Sequence, residues 1–227
     1  MTEFAIIDTW DGGFGWMAHP NEFMRRASHA IQGQDGLWLV DPLVSPEVTA
    51  YLDDGGPVAG VIVTLDRHTR DADLVARKYD IPVTLDRSLD HLRDELETPA
   101  IGPTYFTRDT SFAIRSTVNL PGWKEIALHD PVGGTLIVGD ALGTAPYFSP
   151  PQEPLSVHPL LRLFPPVDSF THLDADRVLV GHGLGVMEDG VDAVEFAFQR
   201  ARRGIPRAWT NALIEIGRSP ARFRARG

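Results

Sequence analysis

The stretch VTLDRHTRDAD, residues Val63–Asp73, decides how this chain is read. Before it runs PVAGVIVTL (57–65), the near-continuous apolar pattern of a strand covered on both faces. After it, Leu74, Val75, Lys78 and Tyr79 fall at helical spacing over Asp71–Tyr79, and IPVTL (81–85) reads as another strand. This strand–helix–strand unit puts a histidine among acids and arginines at the C-terminal end of a buried strand. Functional groups of α/β folds collect there.

Working outward, FAIID (4–8), ASHAI (27–31) and LWLVD (37–41) read as strands, with GQDG (33–36) as a hairpin turn. A helix is expected over 45–56, capped by Ser45, with Pro46 in its first turn and Gly55-Gly56 ending it. YFTRD (105–109), FAIRSTVNL (112–120) and KEIALHD (124–130) read as strands, and PVGG (131–134) turns into the strand TLIVGD (135–140). A Pro-rich loop over 145–154 leads to a short helix expected at Leu155–Phe164, and DRVLVGHG (176–183) is one more buried strand. Amphipathic helices are expected over 190–204 and, beyond Pro206, over 206–217. The basic tail 218–227 is expected to be frayed.

The 227 residues suffice for one domain spanning 1–227 with a sizeable core. A net charge of −10 argues against nucleic acid as the main partner. With no cysteine, disulfides, thiolate metal sites and cysteine nucleophiles are excluded. The N-terminus lacks a signal-peptide pattern and no apolar run reaches membrane-spanning length, so a cytoplasmic protein without a membrane partner is expected.

Three strands end in metal-binding residue types: TLDRHTRDAD, LIVGDAL and LVGHGLG. Imidazole and carboxylate suit zinc, iron or manganese. Each segment alone carries little weight, since a lone histidine after a strand is more often structural. GHGLGV fails as a phosphate loop because Val186 stands at the last glycine position, and no G-x-S-x-G elbow exists. WDGGFGWMAHPNEF (10–23), with Trp10, Trp16 and His19, reads equally as a lid facing a substrate and as a surface loop with buried tryptophans. His29, His91, His129, His158 and His172 have no motif context.

Taken in order, LWLVDPLVSP, VIVTLDRHTRDA, LPGWKEIALHDPVGGTLIVGDAL and VLVGHG resemble the successive blocks of the metallo-β-lactamase fold over nearly the whole chain. The resemblance implies an α/β, four-layer αββα sandwich. It also implies an incomplete H-x-H-x-D-H motif: Asp66 at the first histidine, His68 at the second, Arg70 at the aspartate and Asp71 at the next histidine. Trp123 stands for the histidine after Pro-Gly, while the bridging carboxylate, Asp140, and the last histidine, His182, are kept. The implied metal ligands are His68, Asp140 and His182, with Asp66 and Asp71 as further ligands or as the base. Arg70, Trp123 and His19 would border the pocket.

A guanidinium disfavours a neighbouring divalent ion, so a dinuclear centre is not expected. Arg70 is expected to pair with Asp140 or Asp71 instead. Trp123 reads as core filling ahead of a ligand wall, since indole offers a metal no lone pair. Two functions stand, and the motif losses favour the first of them. One is a catalytically silent member with an eroded metal site that binds a small molecule or a partner and holds no ion. The other is a hydrolase of an ester, thioester or phosphoester using one divalent ion of zinc, iron or manganese. Oligomeric state is not legible.

Overall fold

The computed structural model describes residues 4–148, 150 and 153–218, so the expected tail lies outside the described residues beyond Arg218. The first half of the chain forms a seven-stranded sheet in sequential order. Its strands are β1 (Ala5–Trp10), β2 (Gly13–Met17), β3 (Ser28–Gln32), β4 (Leu37–Val40), β5 (Val58–Val63), β6 (Val83–Leu85) and β7 (Ala100–Ile101). β1 to β4 are antiparallel neighbours, and β4 to β7 run parallel. The parallel pairs need crossovers. These are helix α1 (Pro46–Asp54), helix α2 (Ala72–Tyr79) and a 3-10 segment, Arg87–Asp94. As its sequence suggests, α1 is capped by the Ser45 hydroxyl, which accepts from the Val48 amide.

After α3 (Thr104–Asp109), the chain makes the antiparallel meander β8 (Ala113–Leu120), β9 (Trp123–Asp130) and β10 (Thr135–Val138). A small ribbon of β11 (Leu142–Gly143) and β12 (Ser156–Val157) follows, and then β13 (Arg177–Val180) pairs parallel to β10. Helices α4 (Gly190–Ala201) and α5 (Ile205–Arg218) close the described chain.

Val48 and Leu52 of α1 and Val75 and Ala76 of α2 pack into one apolar core with the first sheet and with Ile126, Leu128, Ile137 and Leu179 of the second. Ala193, Val194, Ala197 and Ala201 of α4 share a second core with that sheet. Helix, sheet, sheet, helix is the expected four-layer sandwich. Trp38 is fully buried on β4, and a side chain at Gly60 of β5 would collide with its ring.

Three local expectations are corrected. YFTRD is not a strand but lies in α3: Phe106 and Asp109, three residues apart, both turn inward. Phe106 meets Trp38 edge-on at 5.1 Å, and Asp109 accepts the Trp38 indole N–H at 2.7 Å. Leu155–Phe164 is not a helix. The chain there wraps around the fully buried Arg162, which pairs with Glu153 at 2.7 Å and donates to the carbonyls of Phe148 and Val157. The third concerns residues 13–17, which are a sheet strand rather than a loop. Trp16 is in the core and its indole N–H donates to Leu43 at 2.8 Å.

Candidate metal centre

Four of these strands hand the chain over to site residues at one seam between the sheets. β4 leads into Asp41, β5 into Asp66 and His68, β10 into Asp140, and β13 into His182. The sheets are stitched there by backbone bonds, from Ile126 to Thr64 and from Asp66 to Lys124 on one side and from Ala27 to Gly181 and Gly183 to Arg25 on the other. Gly181 is needed at this seam, because a Cβ would lie 2.8 Å from the His68 ring.

His68, Asp140 and His182 come together, all buried. His68 Nε2 is 3.2 Å and His182 Nε2 3.0 Å from Asp140 Oδ1, and the two Nε2 atoms are 3.3 Å apart. Each ring is fixed through its other nitrogen. His68 Nδ1 is 2.9 Å from Asp41 Oδ2, and His182 Nδ1 is 3.0 Å from the Met24 carbonyl. Both partners accept, so both rings carry a proton on Nδ1. That directs two Nε2 atoms at a carboxylate oxygen that has no well-formed hydrogen bond of its own.

With both Nε2 atoms unprotonated, three electron-pair donors would meet at one point, an arrangement that suits a cation. Ligands about 2.0–2.1 Å from a tetrahedral ion lie roughly 3.3–3.4 Å from one another, close to the spacings found. The outward hydrogen bonds to Asp41 and Met24 are the kind that orient histidine ligands. These residues fit one divalent ion.

Charge in the seam follows from burial and pairing. Burial and Arg70 press the His68 pKa down, but Asp140 and Asp41 together outweigh them and leave it raised. His182, without a second carboxylate, is held down by its burial. Burial works against the Asp140 carboxylate, yet His68 and His182 keep it well below the usual range. Glu125, also buried, is pushed up to about 7 by burial and then by Asp140. It accepts from the Trp123 indole N–H at 2.9 Å and the Ala141 amide at 3.0 Å.

The remaining site residues of the sequence reading lie around this cluster. Asp66 accepts from the Lys124 amide at 2.8 Å and pairs with Arg67 at 3.0 Å. Asp71 accepts from the Val44 amide at 2.9 Å, just ahead of α2. His19 sits half-buried in the turn after β2, its carbonyl accepting from the Glu22 amide. Trp123 is buried, with the His158 ring edge-on at 4.8 Å and the Arg67 guanidinium over its face at 4.3 Å.

The expected pairing of Arg70 with Asp140 or Asp71 is corrected. Its guanidinium is largely buried and donates to the carbonyls of Ala27, Asp41 and Gly181, reaching His68 Nε2 at 3.3 Å. Asp140 is taken instead by Arg67, whose Nη2 lies 3.1 Å from Oδ2. Arg70 and Asp41 both hold left-handed backbone conformations, φ 42° and 47°, a strain that such bonding sustains.

Sequence reasoning passed over Arg67, Glu125 and the Met24 carbonyl. Asp41 was visible in LWLVDP, though not its bond to His68.

No protein-family model matches the sequence, and comparison with curated proteins finds no match. Solved structures do match. A metallo-β-lactamase from Erythrobacter litoralis is 13% identical with a TM-score of 0.60, covering 89% of this chain and 98% of its own. The chain has the metallo-β-lactamase fold. FIM-1, the metallo-β-lactamase from Pseudomonas aeruginosa in a mono-zinc form, is likewise 13% identical with a TM-score of 0.57, covering 89% of this chain and 96% of its own. TTHA1623 in a di-iron-bound form is 19% identical with a TM-score of 0.57, covering 77% of this chain and 94% of its own. Identities this low carry the fold and not the activity.

Proposed function

We propose that this metallo-β-lactamase-fold chain is a metal-dependent hydrolase working with one divalent ion. The observation that carries this is the convergence of His68 Nε2, His182 Nε2 and Asp140 Oδ1 at 3.0–3.3 Å with both Nδ1 atoms already committed. Zinc or iron is the proposed ion, as in the mono-zinc form of FIM-1 and the di-iron-bound form of TTHA1623. Such an ion supplies Lewis-acid activation of water and of a polarised substrate oxygen. Hydrolysis of an ester, thioester or phosphoester is the proposed reaction class.

The chain's own residues divide the remaining work. Asp41 holds the His68 ring and Met24 the His182 ring. Arg70 places a fixed positive charge beside His68, which weakens the hold on one ion and opposes a second. Arg67, stacked on Trp123 and partly exposed, is the charged group that an incoming substrate meets beside Asp140.

A second reading has an observation of its own. Arg67 and Arg70 already bring two positive charges to the seam of Asp41 and Asp140, which suits an ion-free member that binds a small molecule. Titration of chelator-stripped protein with zinc, iron(II) and manganese separates the two, followed by assay on chromogenic esters, thioesters and phosphoesters. One equivalent bound, with turnover lost in His182→Ala, supports the hydrolase. No ion bound and no thermal stabilisation by any of the three overturns it and leaves the ion-free reading.

A further inference from the structure

Helix α5 is folded with its apolar side outward. It buries Ala208 and Ala212 and shows solvent its large side chains: Trp209, Leu213 at 64% exposure, Ile214 and Ile216. A surface helix ordinarily does the reverse. The loop 160–164 adds Leu160, Leu163 and Phe164, the last 77% exposed. Arg202, between α4 and α5, ties this loop to the helix pair by donating to the Leu163 carbonyl at 3.1 Å. Large apolar side chains gathered in solvent on a helix face in this way mark an interaction site.

Charge indicates what covers it. Residues 200–227 hold eight arginines, Arg200, Arg202, Arg203, Arg207, Arg218, Arg222, Arg224 and Arg226, against one acid, Glu215, in a chain whose net charge is −10. Arg200, Arg203 and Arg207 line one cleft, and the one acid among its described lining residues, Glu153, is paired with Arg162. A second copy packed face to face would bring two such arginine groups together. Nucleic acid would answer the charge but not the leucines, isoleucines and tryptophan. Basic residues flanking an apolar helix face suit the headgroups and upper acyl chains of an anionic bilayer.

We propose that α5 and the loop 160–164 dock on an anionic lipid surface. The contact is peripheral, since no described helix is long and apolar enough to cross a membrane. No membrane partner was expected because no apolar run reaches spanning length, which a peripheral contact does not need; the net charge of −10 averages away this basic end.

Flotation of the full-length protein with vesicles tests it. The protein is expected to float with vesicles of equal parts phosphatidylglycerol and phosphatidylcholine at low salt, and not with phosphatidylcholine alone. Leu213→Glu/Ile216→Glu and Arg203→Glu/Arg207→Glu should each weaken partitioning about tenfold or more. These side chains are exposed, so unchanged melting temperatures would verify folding. Absence of flotation, equal flotation on neutral vesicles, or variants that partition like wild type would overturn the proposal. So would a dimer in light scattering that Leu213→Glu dissociates, or duplex DNA bound in preference to the vesicles.

Discussion

Nδ1 of His68 and Oδ2 of Asp41 lie 2.9 Å apart, joining residues 27 positions apart at the ends of adjacent parallel strands. Asp41 also accepts from the Thr64 amide at 2.7 Å, so it braces both the ring and the strand that carries it. Asp41→Asn keeps the amide bond and removes the charge behind His68. Ion affinity should fall roughly ten- to a hundredfold, the usual cost of losing such a partner. Competition with a chromophoric chelator measures it, and unchanged affinity would leave Asp41 a structural acid only.

Arg70 couples fold stability and ion binding in opposite directions. Arg70→Ala takes the guanidinium donor from the buried Ala27 carbonyl, while the carbonyls of Asp41 and Gly181 keep the Ser28 hydroxyl and the Ala27 amide, and should cost about 1–3 kcal/mol of unfolding free energy. The same change removes a positive charge beside His68 and should tighten ion binding. Denaturant unfolding and metal titration on one preparation check both. A variant that is both less stable and weaker in ion binding would contradict this role.

Two buried histidines set the acid limit of the fold. Burial holds His29 down to about 4, with its Nε2 on the Val180 carbonyl, and holds His158 down to about 4 among aromatic rings. Both stay neutral in the folded chain, while in the unfolded chain they take up protons near pH 6.5. Stability is therefore full above pH 6.5 and declines as the pH falls towards 4, by up to about 3 kcal/mol for each. His158→Asn, which can still accept from the Leu160 amide, should flatten part of this decline in melting temperature.

Arg162 and Glu153 form a buried pair that organises residues absent from any helix or long strand. Arg162→Ala should destabilise the fold by about 3–5 kcal/mol, because Glu153 then keeps a buried charge without this partner. Chemical denaturation measures the loss, and a change below about 1 kcal/mol would contradict it.

The parts of this molecule legible in its sequence are those encoded locally. The buried run before Asp66, the helix after Asp71, and the strands leading to Asp140 and His182 are each read from a few consecutive residues. YFTRD misled because five residues distinguish alternation poorly from a single helical turn, and only contact with Trp38 decides. Leu155–Phe164 misled because its apolar residues divide without helical order, Leu155, Val157 and Leu161 inward and Leu160, Leu163 and Phe164 outward, while its arginine is buried. At the site, the charge partners depend on which way a side chain leaves the turn. Arg70, with φ 42°, turns toward the carbonyls of Ala27 and Gly181, leaving Asp140 to Arg67. No spacing rule reports that choice.

The most direct measurement is the number of ions bound by chelator-stripped protein at saturation, by calorimetric titration with zinc and independent elemental analysis. One equivalent for the wild type and none for His182→Ala is predicted. Two equivalents, or none at all in the wild type, would contradict a single-ion centre of His68, Asp140 and His182.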